Sequence, residues 1–226
     1  MNRKGFTLIE LMLAMTFVSA LLLAIAMTVI QISHIYTRGL TVKEVNQAGR
    51  SLAIELKRGV SQAAPFTIPG PKYIDNIKTP WGGRLCIGQY SYIWNYGKTL
   101  SDTTTDKNNS NVYTDGTKMS FIKVPDSAGV YCSIPSSLID KTNAVEMLAS
   151  GDNSLALQGF TITNNSTDPT SGEAIYSISY IIGTNDQAAL NPSYTSCKAP
   201  DQKDSNINYC SINQFDIVVR ALNALQ

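Results

Sequence analysis

The chain opens with MNRKGFTLIELMLAMTFVSALLLAIAMTVI, residues 1–30, and this stretch decides the fold. From Phe6 to Ile30 the only charged residue is Glu10. A helix needs about 20 apolar residues to cross the hydrocarbon core of a bilayer, so this run is long enough to span it. The cationic residues Arg3 and Lys4 precede the run, and they favour a cytoplasmic N-terminus. The sequence therefore predicts a single-pass membrane segment with the rest of the chain outside.

Glu10 distinguishes between the possible kinds of membrane segment. A cleavable secretory signal has an apolar region of about 7–15 residues followed by a small-residue site. Ala24 and Ala26 could supply such a site, but the apolar run continues past them. A plain anchor fits the length and the charge, yet an ionisable group in hydrocarbon costs roughly 2.5–3.5 kcal/mol on insertion scales. Such groups are usually partnered and functional, so a plain anchor leaves Glu10 unexplained.

The residues Gly5-Phe6-Thr7-Leu8-Ile9-Glu10 resemble the processing motif of type IV prepilins and of type II secretion pseudopilins. In that family a membrane aspartyl peptidase cuts after the glycine and methylates the new N-terminus, here Phe6. The resemblance implies that residues 1–5 are a leader that is removed. It also implies that Glu10 is an assembly residue, whose carboxylate neutralises the N-terminal amine of a neighbouring subunit. The resemblance is strong over residues 1–62 and loose beyond them.

The resemblance implies a structural subunit and not an enzyme. We expect a minor pilin of a type IV pilus, located in the cytoplasmic membrane before assembly and in a surface filament afterwards. A pseudopilin of a type II secretion or DNA-uptake machine is the alternative. The expected partners are other pilin subunits, the prepilin peptidase and the membrane assembly platform. A surface adhesin anchored one molecule at a time would need neither cleavage after Gly5 nor Glu10.

Composition offers little support for other classes of function. A net charge of +1 gives no sign of a nucleic-acid-binding protein. A hydrolase would need a nucleophile, a base and an orienting group. The only histidine, His34, lies beside the predicted membrane segment, and no P-loop, GxSxG or HExxH pattern occurs. We therefore predict that the chain is the substrate of a peptidase and has no enzymatic activity of its own.

The helix is predicted to continue beyond the membrane. In residues 31–63 apolar residues recur at steps of three and four, which is the period of an amphipathic helix. Pro65 then ends the segment. A helix over residues 6–63 would be roughly 87 Å long at 1.5 Å per residue, with residues 6–30 in the membrane. Three glycines fall within it, and they favour either local loss of helix or close packing: Gly39, Gly49 and Gly59.

Residues 64–226 are predicted to form one β-rich extracytoplasmic head. Five segments have the apolar patterns of strands: Leu85–Tyr96, Lys118–Val124, Leu155–Thr163, Ile175–Ile182 and Phe215–Leu222. A change of phase at Gly159 predicts a bulge. Thr67–Gly83 is predicted to be a loop, and Ala144–Ala149 a helical turn. The predicted class is α+β, a long helix packed on an antiparallel sheet.

Four aromatic residues alternate along the first predicted strand: Tyr90, Tyr92, Trp94 and Tyr96. Such a row could be a strip that binds a sugar or a surface. It could equally be the face of a sheet that packs on the helix, and we favour this second interpretation.

All four cysteines follow the membrane segment: Cys86, Cys132, Cys197 and Cys210. An even number outside the cytoplasm favours two disulfides, for which three connectivities exist. Members of the pilin family often close a C-terminal loop with a disulfide. The resemblance therefore implies a bond between Cys197 and Cys210, which leaves Cys86 with Cys132. A zinc site is disfavoured because no two cysteines have C-x-x-C spacing.

A polar loop contains part of a calcium-binding pattern. Asp106, Asn108 and Ser110 occupy the first, third and fifth positions of such a loop. Asn111 and Thr117 replace the glycine and the bidentate glutamate that the pattern requires. We therefore expect neither a metal ion nor a cofactor.

Overall fold

A computed structural model describes residues 7–75, 82–97, 119–134, 143–148, 155–193, 195–203 and 205–222. This part of the chain forms a long helix followed by a β-rich head. Its elements in chain order are α1 (Leu8–Ser61), β1 (Tyr73–Asp75), β2 (Gly82–Ile87), β3 (Tyr90–Asn95), β4 (Phe121–Pro125), α2 (Val130–Ser133), β5 (Val145–Glu146), β6 (Leu155–Thr167), β7 (Ala174–Thr184), a 3-10 turn (Gln187–Ala189) and β8 (Ile212–Ala221). The predicted α+β class, a long N-terminal helix packed on antiparallel sheet, is confirmed.

Helix α1 is uninterrupted, and its two halves have different surroundings. Every side chain from Leu8 to Ile30 is exposed. Further along, buried positions recur at short steps: Thr41, Val45, Ala48, Gly49, Leu52, Leu56 and Val60. This spacing places one stripe of the helix against the head, as the amphipathic pattern predicted. The helix continues through Gly39, where loss of helix was one of the two expectations.

The head contains two antiparallel sheets. Strands β1 to β5 pair in chain order in one sheet, and β6, β7 and β8 pair in chain order in the other. A parallel bridge between Tyr96 and Leu157 joins the two sheets. Leu52 of α1 lies in the same buried cluster as Trp94 of β3 and Tyr180 of β7. One hydrophobic core therefore serves the helix and both sheets.

The prediction of a single strand over Leu85–Tyr96 is wrong, because this segment is the β2–β3 hairpin. Gly88 lies in the turn and has a φ of +60°. This left-handed conformation is open to glycine at little cost and lets the chain reverse. Apolar residues continue on both sides of the turn, so the hydrophobic pattern alone did not reveal the break.

Two further assignments are wrong, because each of the segments contains a strand. Thr67–Gly83, predicted to be a loop, contains β1, which pairs with β2. Ala144–Ala149, predicted to be a helical turn, contains β5, which pairs with β4. The Glu146 carboxylate accepts backbone hydrogen bonds from Ser120 and Phe121. These partners lie far away in the sequence and hold β5 extended beside β4.

The remaining strand predictions correspond to β4, β6, β7 and β8, whose ends differ by a few residues from those predicted. The register of β6 against β7 shifts between Leu157 and Gly159. The predicted bulge at Gly159 is therefore confirmed.

Candidate functional site

The N-terminal end of α1 is closed by a reciprocal cap between Thr7 and Glu10. The backbone N–H of Thr7 donates to Glu10 Oε2 at 3.1 Å, and the Thr7 hydroxyl donates to the same oxygen at 2.9 Å. The backbone N–H of Glu10 donates in turn to Thr7 Oγ1 at 3.3 Å. This arrangement is a capping box, which satisfies two N–H groups that the helix leaves unpaired. Sequence reasoning missed it, although the spacing Thr-x-x-Glu is its known signature.

The cap fixes where the carboxylate of Glu10 lies. The N-terminus of a helix carries a partial positive charge, so a carboxylate there is stabilised. Cleavage after Gly5 would create an α-amino group on Phe6, the residue directly before Thr7. Gly5 and Phe6 lie outside the described residues, so the cleavage site stays a prediction. The carboxylate is nevertheless held one residue from the position where that amine would be formed.

The first half of α1 has no partner among the described residues of the chain. It is long and apolar enough to cross a membrane once, and none of its most apolar stretch is buried in the protein. Leu8 and Ile9 are each 75% exposed, and Phe17 is 67% exposed. Apolar surface of this extent is stable only in lipid or against other apolar surfaces. The structure therefore fits a single-pass membrane anchor.

The second half of α1 packs closely against the head at Gly49. Tyr180 Oη donates a 2.8 Å hydrogen bond to the Gly49 carbonyl oxygen. The ring of Phe215 stacks on Tyr180 with centroids 5.4 Å apart. A Cβ atom at position 49 would lie 2.1 Å from Phe215 Cζ, so a larger residue requires the ring to move. Of the two expectations for the helix glycines, close packing is the one found at Gly49.

An ion pair between Glu55 and Lys123 connects α1 to the first sheet. Glu55 Oε1 accepts hydrogen bonds from Lys123 Nζ at 2.5 Å and from Tyr92 Oη at 3.2 Å. Lys123 Nζ also lies 3.9 Å from the centroid of the Tyr90 ring. Burial raises the pKa of Glu55, but the hydrogen bond and the charge of Lys123 outweigh it and leave the pKa below its ordinary value. No local sequence pattern reveals this cluster, because its members come from three separate elements.

The row of aromatic residues faces mainly into the protein. Tyr92 and Trp94 are fully buried, and Trp94 stacks on Phe121 with centroids 5.5 Å apart. Tyr96 is half-buried, and its hydroxyl donates to Asp75 Oδ1 at 2.6 Å. Only Tyr90 is exposed, to 38%. The row is therefore a packed face of the sheet, as we favoured.

Both disulfides have the pairing that the resemblance implied. Cys86 bonds to Cys132 and joins β2 to α2, and Cys197 bonds to Cys210 and closes the loop before β8. No cysteine is free. All four sulfur atoms are consumed in this way, so they cannot form a zinc site.

A buried arginine supports the first disulfide. Arg84 of β2 is fully buried, and its Nη1 donates a 2.6 Å hydrogen bond to the carbonyl oxygen of Tyr131, next to Cys132. Burial lowers the pKa of Arg84 to about 10, so the guanidinium remains protonated at neutral pH. Asp126, also buried, accepts hydrogen bonds from the backbone N–H groups of Val130 and Tyr131. These contacts fix the short helix α2 on the sheet.

Within the described ranges, no three or more His, Cys, Asp or Glu residues are grouped as a metal site. The partial calcium-loop pattern at Asp106, Asn108 and Ser110 lies outside those ranges.

Comparison of the chain with protein-family models, with curated proteins and with solved structures finds no match.

Proposed function

We propose that the chain is a minor pilin, which joins or primes a type IV surface filament after cleavage between Gly5 and Phe6. One observation carries the proposal. The carboxylate of Glu10 is held at the exposed N-terminal end of a helix whose apolar half has no partner within the described chain. Before assembly, the subunit spans the cytoplasmic membrane once with the head outside.

The apolar half of α1 requires a partner of matching chemistry. Lipid supplies one before assembly, and the α1 helices of neighbouring subunits supply one in a filament. Lipid alone does not explain the carboxylate of Glu10, because an ionisable group in hydrocarbon is costly unless it is paired. A bundle of identical helices does explain it, because each processed neighbour carries an N-terminal ammonium group that can pair with the carboxylate.

The capping box suggests how one carboxylate serves both stages. In the isolated subunit the neutral donors of Thr7 satisfy Glu10 and reduce the cost of placing it near lipid. On assembly a neighbour's ammonium group offers a charged donor. The ammonium adds a direct attraction between opposite charges, which is strong where the surroundings have a low dielectric constant. Exchange of the Thr7 donors for the ammonium therefore favours the filament and sets the axial register of the helices.

The second half of α1 leaves a polar stripe free for neighbouring subunits. Lys43, Arg50 and Lys57 recur at steps of seven residues, so they lie along one side of the helix. All three are exposed, and Ile54 between them is 70% exposed. The buried stripe holds the head, and this opposite stripe remains available in an assembled subunit.

Three variants separate the charge of Glu10 from its cap. Thr7→Ala removes the hydroxyl from the cap and keeps the charge. Glu10→Gln can keep the cap and removes the charge, and Glu10→Ala removes both the charge and the side-chain acceptor of the cap. We expect Thr7→Ala to assemble almost like the wild type, Glu10→Gln to be intermediate and Glu10→Ala to be lowest. The measurement compares the amount of each variant in sheared filaments with the amount in membranes.

Two results would contradict the proposal. Equal amounts of wild-type and Glu10→Ala protein in the sheared fraction would remove the assembly role of Glu10. A Thr7→Ala defect as large as that of Glu10→Ala would assign the effect to the cap and not to charge pairing. Mass spectrometry of the N-terminus provides a separate test, because a methylated Phe6 supports the pilin and an intact Met1 supports a singly anchored adhesin.

A further inference from the structure

The loop closed by Cys197 and Cys210 reaches down α1 toward the membrane segment. Asn208 Nδ2 donates a 2.7 Å hydrogen bond to His34 Nδ1. His34 is only four residues beyond Ile30, the last residue of the predicted membrane run, which is about 6 Å along a helix. This contact of the head with the helix therefore lies next to the place where α1 leaves the bilayer.

Exposed apolar and aromatic side chains surround this contact. Ile32 is 61% exposed, Ile35 73%, Tyr36 67% and Tyr209 53%. We call these four residues the collar. His34 and Tyr36 are two residues apart on the helix and so lie on nearly opposite sides of it. Tyr36 therefore lies on the side of α1 that faces away from the head. Tyr209 is next to Asn208, which contacts His34 on the opposite side of the helix.

Tyr209 is rigidly presented. Its backbone N–H donates to the Asn206 carbonyl oxygen at 3.0 Å, which closes a turn. The next residue, Cys210, is 4% exposed and disulfide-bonded to Cys197. Because this backbone is already fixed, contact of Tyr209 with another surface does not require the loop to become ordered.

We propose that the collar rests in the interfacial layer of a phospholipid bilayer, so that the head is seated on the membrane from which α1 emerges. The polar layer on each side of the hydrocarbon core is about 5–8 Å thick, which matches the level of His34. Tyrosine is enriched at this depth because its ring is apolar and its hydroxyl is polar. Ile32 and Ile35 continue the apolar surface of the membrane run into the same layer. The inference rests on insertion of α1 and not on filament assembly.

A tryptophan placed in the collar reports its depth. We would compare Tyr209→Trp with Tyr90→Trp in the full chain, reconstituted into phosphatidylcholine vesicles that contain a lipid with a nitroxide quencher at the head-group level. Tyr90 is the matched control because it lies far from the membrane. Lys123 contacts both the Tyr90 ring and Glu55. Glu55 lies about 31 Å further along the helix from the membrane than His34 does. Trp81 and Trp94 are common to both variants and cancel in the comparison.

We expect the quencher to reduce emission from Tyr209→Trp and to leave Tyr90→Trp like the parent chain. Adding Asn208→Ala should weaken the quenching of the tryptophan at position 209. Adding Asn213→Ala should not, because Asn213 bonds to Asn46, about 18 Å higher on the helix. Equal quenching of the two tryptophans in chains that float with the vesicles would overturn the proposal, whether that quenching is strong or weak.

The wild-type chain provides a test that needs no substitution. A lipid with a photoactivatable head group should crosslink to peptides that contain Tyr209 as well as to peptides that contain Tyr36, and not to peptides that contain Tyr90. Crosslinks confined to α1 would refute the seating of the head. A chain that crosslinks at the collar but never enters filaments would instead count against the proposed function alone.

Discussion

A methyl group added at Gly49 tests how closely the head packs on α1. The new Cβ would lie 2.1 Å from Phe215 Cζ, so the ring must leave its place. Its departure disrupts the stack on Tyr180, and overpacking of this kind costs about 1–3 kcal/mol. Alanine also favours a helix over glycine by about 1 kcal/mol. The net loss in the free energy of unfolding for Gly49→Ala is therefore at most about 2 kcal/mol.

A second glycine separates these two effects. At Gly39 no atom lies within 4 Å of an added Cβ, so Gly39→Ala gains helix propensity without a collision. Gly49→Ala should therefore be less stable than Gly39→Ala by about 1–3 kcal/mol. Each kcal/mol shifts the Tm of a chain of this size by about 2–4 °C.

The assay is thermal unfolding of the full chain in detergent, followed by near-ultraviolet circular dichroism of its packed aromatic residues. In a Phe215→Ala background the collision is absent, so Gly49→Ala should become stabilising there. If Gly49→Ala raised the Tm of the otherwise wild-type chain as much as Gly39→Ala does, the close-packing argument would be refuted.

Three further outcomes are expected. The proposed cleavage after Gly5 requires a small residue at the cut, so Gly5→Val should block it, and a mature mass equal to that of the processed wild type would contradict this. Replacing Cys197 and Cys210 by serine should lower the free energy of unfolding by about 3 kcal/mol, the estimate for a loop of roughly 14 residues. Alkylation of Cys197 and Cys210 in the native chain would show that this bond is not formed. Because the pKa of Glu55 is lowered in the fold, its contribution to stability is present above its ordinary value of 4.5 and is lost as the pH falls. Lys123→Met should therefore be less stable than the wild type at neutral pH, and denaturant titrations should show the difference shrinking as the pH falls below 4.5.

The parts of the fold that depend on local or periodic patterns of residues were predictable from the sequence. The apolar run and the three-and-four spacing after it gave the extent of α1, because burial of one helix stripe imposes that period. The bulge at Gly159 was predictable for the same reason, since a change of phase in a strand is a local event. The cap between Thr7 and Glu10 was also predictable, because the Thr-x-x-Glu spacing is its local signature.

The parts that depend on distant partners were not predictable. The strand at Glu146 is held by backbone groups about 25 residues away, and no neighbouring residue indicates them. The contact of Glu55 with Lys123 joins residues 68 positions apart. The β2–β3 turn at Gly88 lacks the Asn-Gly or Asp-Gly pair that is the strongest local signal of a hairpin. Both disulfide pairings came from the resemblance, because spacing alone left three connectivities open.

Because the head packs along the side of α1, the direction of a pulling force decides how the protein bears mechanical load. The buried stripe runs from Thr41 to Val60, about 28 Å along the helix axis. Tension between the N-terminal end of α1 and the head acts parallel to this seam. The contacts at Gly49 and Glu55 are therefore loaded in shear at the same time, and they share the force. A pull at right angles to the helix would instead break the same contacts one after another, so the protein resists force best along the axis of its helix.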